Sequence, residues 1–114
     1  IDYVAMDVKY PIEEYNERSG NMNAQSCISE SISIILNSNV DYEFRTTYVK
    51  GIHNDESVRK ICEMIKGSKR YYIQNFREGK SIDQSLSIQN SFTPEELKTF
   101  KKIALGYIPI VEIR

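Results

Sequence analysis

Apolar and polar positions alternate along the chain in runs of two different periods, and the switches between them divide it into elements. Residues 3–8 (YVAMDV) are rich in β-formers, and Pro11 discourages continuation of regular structure, so the pattern predicts a strand there. A polar loop containing IEEYNERSGN follows, with one short helical turn expected inside it. From Ala24 to Ser38, Ile28, Ile32, Ile35 and Leu36 recur at helical spacing; Cys27 extends the stripe and Asn23 stands where an N-cap would be. YEFRTTYV then alternates strictly, with Tyr42, Phe44, Thr46 and Tyr48 on one side and Glu43, Arg45, Thr47 and Val49 on the other. This is the second strand.

Gly51 breaks that strand, and Asn54 or Asp55 can cap a helix whose apolar face is Val58, Ile61, Cys62 and Ile65, ended by Gly67. RYYIQNF at 70–76 is a third strand. The stretch from Arg77 to Ser91 is polar and long enough to be a functional loop. Thr93, Pro94 and Glu96 form a capping box, with Leu97, Phe100, Ile103 and Ala104 facing the core and Gly106 ending the helix. YIPIVEIR closes the series as a fourth strand, placed at an edge because Pro109 lacks an amide hydrogen.

Strictly alternating strands and helices without a hairpin signal predict an α/β fold with a mostly parallel sheet. Two architectures compete: an open doubly wound sheet and a sector of a (β/α) TIM-like partial barrel. Central strands of a doubly wound sheet are buried on both faces and read as continuous apolar runs. Here Asp7, Lys9, Glu43, Arg45, Thr47 and Gln74 interrupt the strands, and burying unpaired charge under helices is costly. A barrel wall with a polar inner face accommodates them. Two of the three strand-to-helix links are long (10–23 and 77–92), and in parallel α/β folds such loops emerge at the carboxyl ends of the strands, where ligands bind. Asp7, Lys9 and Arg77 lie at that rim.

Composition narrows the functional classes. With 114 residues the chain is read as a single domain, 1–114. Its 15 basic and 16 acidic residues nearly cancel, a poor footprint for nucleic acid. No apolar run approaches the roughly 20 residues that cross a bilayer, so neither a membrane span nor a signal peptide is expected and the cytoplasm is the expected location. Cys27 and Cys62 are 35 positions apart with one histidine in the chain, so no metal site is expected from these residues, and both thiols are expected on apolar helix faces. The chain begins at Ile1 rather than Met, which reads as a piece of something longer.

Neither a dinucleotide-binding G-x-G-x-x-G nor a P-loop is present. His53, in the short GIHND turn, is expected to be a solvated turn residue rather than half of a catalytic pair. What remains is charge at strand ends. Asp7 and Lys9 stand two apart, so both project to one face: a carboxylate and an ammonium that suit the zwitterion of an amino acid. Arg45 adds a planar fork for a carboxylate or a ring. An internal ion pair, Asp7 or Glu43 neutralising Lys9 or Arg45 with no ligand, is an equally open alternative.

DYVAMDVKYPIEEYNERSG, DYEFRTTYVKGIHNDESVRKICEMIKGSKRYYIQNFR and the final VEIR resemble, in order and with compatible spacing, the carboxyl-terminal half of radical S-adenosylmethionine proteins, specifically the activating proteins of anaerobic ribonucleoside-triphosphate reductase. The shortest diagnostic pieces are AMDVK, YEFRTT and GIHND. The resemblance implies a (β/α)6 partial barrel whose first strands carry a CxxxCxxC motif for a [4Fe-4S] cluster. The cluster, fed by an electron donor, reductively cleaves S-adenosylmethionine to a 5'-deoxyadenosyl radical, which takes a hydrogen atom from a glycine of the partner, the anaerobic ribonucleotide reductase. On this mapping Asp7 and Lys9 match a D-x-K that holds the methionine part of the cofactor, Arg45 matches an arginine near the same ligand, and Gln74, with Arg77 behind it, borders the adenosyl group. The CxxxCxxC segment is absent, so the resemblance implies a carboxyl-terminal portion that is inactive alone and whose open edge invites self-association. Two alternatives stand beside it: a radical S-adenosylmethionine enzyme acting on another target, and a non-catalytic α/β binding or assembly module.

Overall fold

In the computed structural model, which describes residues 3–77 and 90–114, strands β1 (Tyr3–Asp7), β2 (Asp41–Tyr48), β3 (Arg70–Asn75) and β4 (Ile110–Ile113) form one sheet. All three pairings are parallel, and the strand order β1-β2-β3-β4 follows the chain. Helices α1 (Tyr15–Ser19), α2 (Ala24–Leu36), α3 (Asp55–Met64) and α4 (Pro94–Ala104) fill the connections, with a 3-10 turn at Ile12–Glu14 ahead of α1. Crossovers between parallel strands are right-handed as a rule, which in unreversed strand order brings helices to one face, and residues of α2, α3 and α4 share one core cluster with the sheet. The expected α/β sheet and its compatibility with a TIM-like partial-barrel sector are thus observed. A doubly wound sheet needs a reversal of strand order, which these four strands do not have.

Burial separates the two faces. Phe44, Tyr48, Tyr71, Ile73 and Val111 pack with Val58, Ile61, Cys62, Leu97, Phe100 and Ala104 into one core cluster. Thr46, on the same face, is also buried, and its hydroxyl is satisfied by donating to the Val8 carbonyl at 2.6 Å. The other face carries Tyr3, Asp7, Asp41, Thr47, Ile110 and Glu112, all exposed, with no helix of the described residues over it. Its exception is Glu43, a carboxylate only 5% exposed in the middle of an otherwise wet surface.

Helix starts were legible to different degrees. Thr93 and Glu96 make the expected reciprocal cap, Thr93 Oγ1 accepting the Glu96 N–H at 3.2 Å and Glu96 Oε1 accepting the Thr93 N–H at 3.0 Å. At α3 the cap is Asn54, paired in the same way with Ser57. Asn23 does not cap α2, because its backbone is already helical (φ −102°, ψ −1°) and its side chain makes no cap hydrogen bond. The Gln25 N–H is instead taken by Asn16 Oδ1 of α1 at 2.8 Å, which ties the two helices together.

Cys27 also departs from expectation. It is exposed, whereas Cys62 is buried. At about 100° per residue Cys27 falls well outside the Ile28, Ile32, Ile35, Leu36 stripe, so it continues the helix without joining its apolar face. Residues 78–89, most of the long loop expected between Arg77 and Ser91, lie outside the described residues.

Candidate functional site

Parallel pairing places side-by-side residues on the same face, so the registers decide which predicted groups meet. Asp7 pairs with Arg45, and Thr47 pairs with Gln74, all on the uncovered face near the carboxyl ends of the strands. Arg45 Nε donates to Asp7 Oδ1 at 2.8 Å, an ion pair whose side chains are 34% and 48% exposed. At that exposure such a pair contributes about 0–1 kcal/mol, so it orients the two groups more than it stabilises the fold. Only Nε is engaged among the described residues, which leaves the outer nitrogens of Arg45 as donors. Thr47 Oγ1 donates to Gln74 Oε1 at 3.1 Å, so the Gln74 amide nitrogen also keeps its donors.

Lys9 lies two residues past the end of β1, with an exposed side chain and no ion pair among the described residues. Asp7 and Arg45 are therefore in contact, Lys9 adjoins them along the chain, and Gln74 stands one strand beyond Arg45, held by Thr47. Arg77 is exposed just past β3. In addition to Arg77, the rim offers the Asp7 carboxylate, the Lys9 ammonium, a partly engaged Arg45 guanidinium and the Gln74 amide, a donor-rich set suited to a small zwitterion with a polar extension.

Two features of this region were not legible as such. His53, expected to be solvated, is 7% exposed. It occupies the position just before the N-cap of α3, which commonly packs against the fourth helical residue, here the fully buried Val58; that capping offset is the signal that could have found it. Its Nδ1 accepts the Val49 N–H at 2.9 Å and its Nε2 reaches the Lys9 carbonyl at 2.8 Å. Burial lowers its pKa, and Arg18 pushes the same way. A ring accepting at Nδ1 carries its proton on Nε2.

The second is the Glu43 cluster. Tyr3 Oη donates to Glu43 Oε1 at 2.8 Å, and Arg114 forks onto the same carboxylate, Nη1 to Oε2 at 2.9 Å and Nη2 to Oε1 at 3.2 Å. The Arg114 guanidinium lies 3.6 Å above the Tyr72 ring centroid. This is a closed structural network, unlike the open donor set at the rim.

Among the described residues no group of three or more His, Cys, Asp or Glu side chains could hold a metal ion. The exposed thiol of Cys27 on α2 and the core thiol of Cys62, whose pKa burial pushes up to about 12, do not converge. No helix of the described residues is long and apolar enough to cross a membrane.

Over its whole length the chain is similar to a protein of Methanocaldococcus jannaschii named for glycyl-radical enzyme activation, at 32% identity over 118 aligned positions, covering 100% of this chain and 49% of the relative. The chain spans about half the length of the curated relative it matches. No family model matches it, and no solved structure matches it.

Proposed function

We propose that this chain is the carboxyl-terminal part of a radical S-adenosylmethionine activating enzyme that installs a glycyl radical on a partner enzyme, with anaerobic ribonucleoside-triphosphate reductase as the target. The observation that carries the reading is the similarity to the M. jannaschii activator along the entire chain, joined to a sheet whose bare face presents polar groups at the carboxyl ends of its strands. When bound and reductively cleaved at an iron-sulfur cluster, S-adenosylmethionine supplies a 5'-deoxyadenosyl radical that takes a hydrogen atom from the partner's glycine. The two cysteines here do not fit the cluster, so its ligands are not among these residues.

The rim does fit the cofactor's amino-acid end. Lys9 supplies an ammonium for its carboxylate, and Asp7 supplies a carboxylate for its ammonium. Arg45, steadied through Nε by Asp7, would offer its outer nitrogens to the same carboxylate, and the Gln74 amide, held by Thr47, would serve the adenosyl end. Because Asp7 already neutralises Arg45, whereas Lys9 has no ion pair among the described residues, the Lys9 ammonium is a stronger handle on the ligand's carboxylate than Arg45.

The test uses the full-length gene product with its cluster reconstituted under anaerobic conditions. Lys9→Ala should abolish or strongly weaken formation of 5'-deoxyadenosine while the cluster absorption spectrum stays unchanged. Undiminished cleavage removes the role from Lys9. A glycyl-radical signal on the reductase, rather than on a different glycyl-radical enzyme, decides the target. The Asp7 to Arg45 contact is also what a non-catalytic assembly module would show, and that reading is favoured if the wild-type protein leaves S-adenosylmethionine unbound.

A further inference from the structure

We infer that Tyr15 and His53 are positioning residues that clamp the Lys9 peptide from both sides and so aim its ammonium at the rim. The inference rests on the reading of Lys9 as a ligand group. β1 ends at Asp7, but the ladder reaches one residue further, the Val8 N–H donating to the Arg45 carbonyl at 2.8 Å and the Val8 carbonyl taking the Thr46 hydroxyl. Lys9 is the first residue past that support. Its N–H donates to Tyr15 Oη at 2.6 Å, and its carbonyl accepts from His53 Nε2 at 2.8 Å.

Both clamping side chains are buried, Tyr15 at 5% and His53 at 7% exposure, whereas Lys9 itself is exposed. Tyr10 braces the pair, its ring stacked on His53 (centroids 6.2 Å apart, planes 17° apart) and edge-on to Tyr15 at 5.5 Å. The other imidazole nitrogen is anchored by Val49, the residue after β2, so the loop following β1 is tied to the loop following β2. A long side chain rooted on a fixed peptide loses less freedom when its ammonium is engaged, and that saving appears as affinity.

The full-length protein supplies the test through two separate measurements: hydrogen exchange of the Lys9 amide, and the affinity and turnover for S-adenosylmethionine. Tyr15→Phe keeps the ring and deletes the acceptor. His53→Asn keeps an acceptor near the Nδ1 position for Val49 but does not reach the Lys9 carbonyl, whereas His53→Gln places a donor near Nε2. Tyr15→Phe is expected to speed Lys9 exchange at least about tenfold, and Tyr15→Phe and His53→Asn each to raise KM about tenfold with kcat changed less than about twofold. His53→Gln should restore KM to within about threefold of wild type. Exchange at amides of β3 and α4 should not move in any variant, which separates loss of the clamp from loss of the fold.

Unchanged Lys9 exchange in Tyr15→Phe overturns the clamp. Faster exchange with unaltered KM, or a failure of Gln to outperform Asn, overturns its positioning role. If wild type does not bind S-adenosylmethionine, the functional reading fails by that result alone, and the exchange data still report whether Lys9 is held.

Discussion

His53 shows how one side chain can couple two loops and a proton. Its pKa is lowered from 6.5, mainly by burial, while the unfolded chain returns it to the ordinary value. Between those two values the unfolded state binds more protons, so stability rises with pH: the contribution is complete above about pH 6.5 and lost as pH falls through the folded value. The protonated ring would also turn Nδ1 from an acceptor into a donor facing the Val49 N–H. Urea midpoints measured from about pH 7.5 to 5.5 should therefore fall more steeply in wild type than in His53→Gln, and parallel curves would remove His53 from the acid response. The same residue marks a limit of sequence reading. A histidine in a short polar turn looks solvated, and only its offset from the Asn54 cap places it inside. Asp7 and Arg45 were easier, because alternation within β1 and β2 fixes their face, whereas Lys9 falls past the end of β1; whether Asp7 would meet Arg45 or leave it free depended on register, a property of two strands rather than one.

At the scale of elements, helix starts divide into those made by local chemistry and those made by neighbours. Thr93 and Glu96 satisfy each other within four residues, so the α4 cap was legible from its own sequence. The α2 start borrows Asn16 from another helix, a contact about which no local pattern speaks. Thr93→Ala should accordingly cost about 1 kcal/mol in chemical denaturation, whereas Asn23→Ala should cost no more than a few tenths. Equal costs at the two positions would mean that Asn23 caps after all. The first three strands were legible to within a residue because alternation in β2 and the breakers Pro11, Gly51 and Gly67 bracket them, whereas β4 begins at Ile110, three residues later than YIPIVEIR suggests, with Pro109 just outside it. Cys27 shows the converse: it adjoins the apolar stripe in sequence but lies about 100° from Ile28 around the helix, outside the stripe.

For the whole molecule, the strand order carries the largest consequence. Alternation of strand and helix was visible in the chain, and the polar residues within the strands announced a face without helices. The Glu43 cluster was not, since it joins residues 43 and 114 across two strands. A sheet face without a helix of the described residues over it and a β1 edge unpaired among those residues together make a template for pairing. The isolated 114-residue chain should therefore associate as its concentration rises in sedimentation velocity, and a monomer throughout would show that the edge is protected. Arg114 adds a constraint at the opposite edge. Its N–H donates to the Ile73 carbonyl while its guanidinium holds the Glu43 carboxylate. A four-residue edge strand would ordinarily fray on its own, at little cost. Here its release also strips a buried carboxylate of the guanidinium that neutralises it, so opening at this edge carries a penalty set in the middle of the sheet, and β4 is expected to exchange with solvent as a partner in a larger cooperative unit instead of as a loose end.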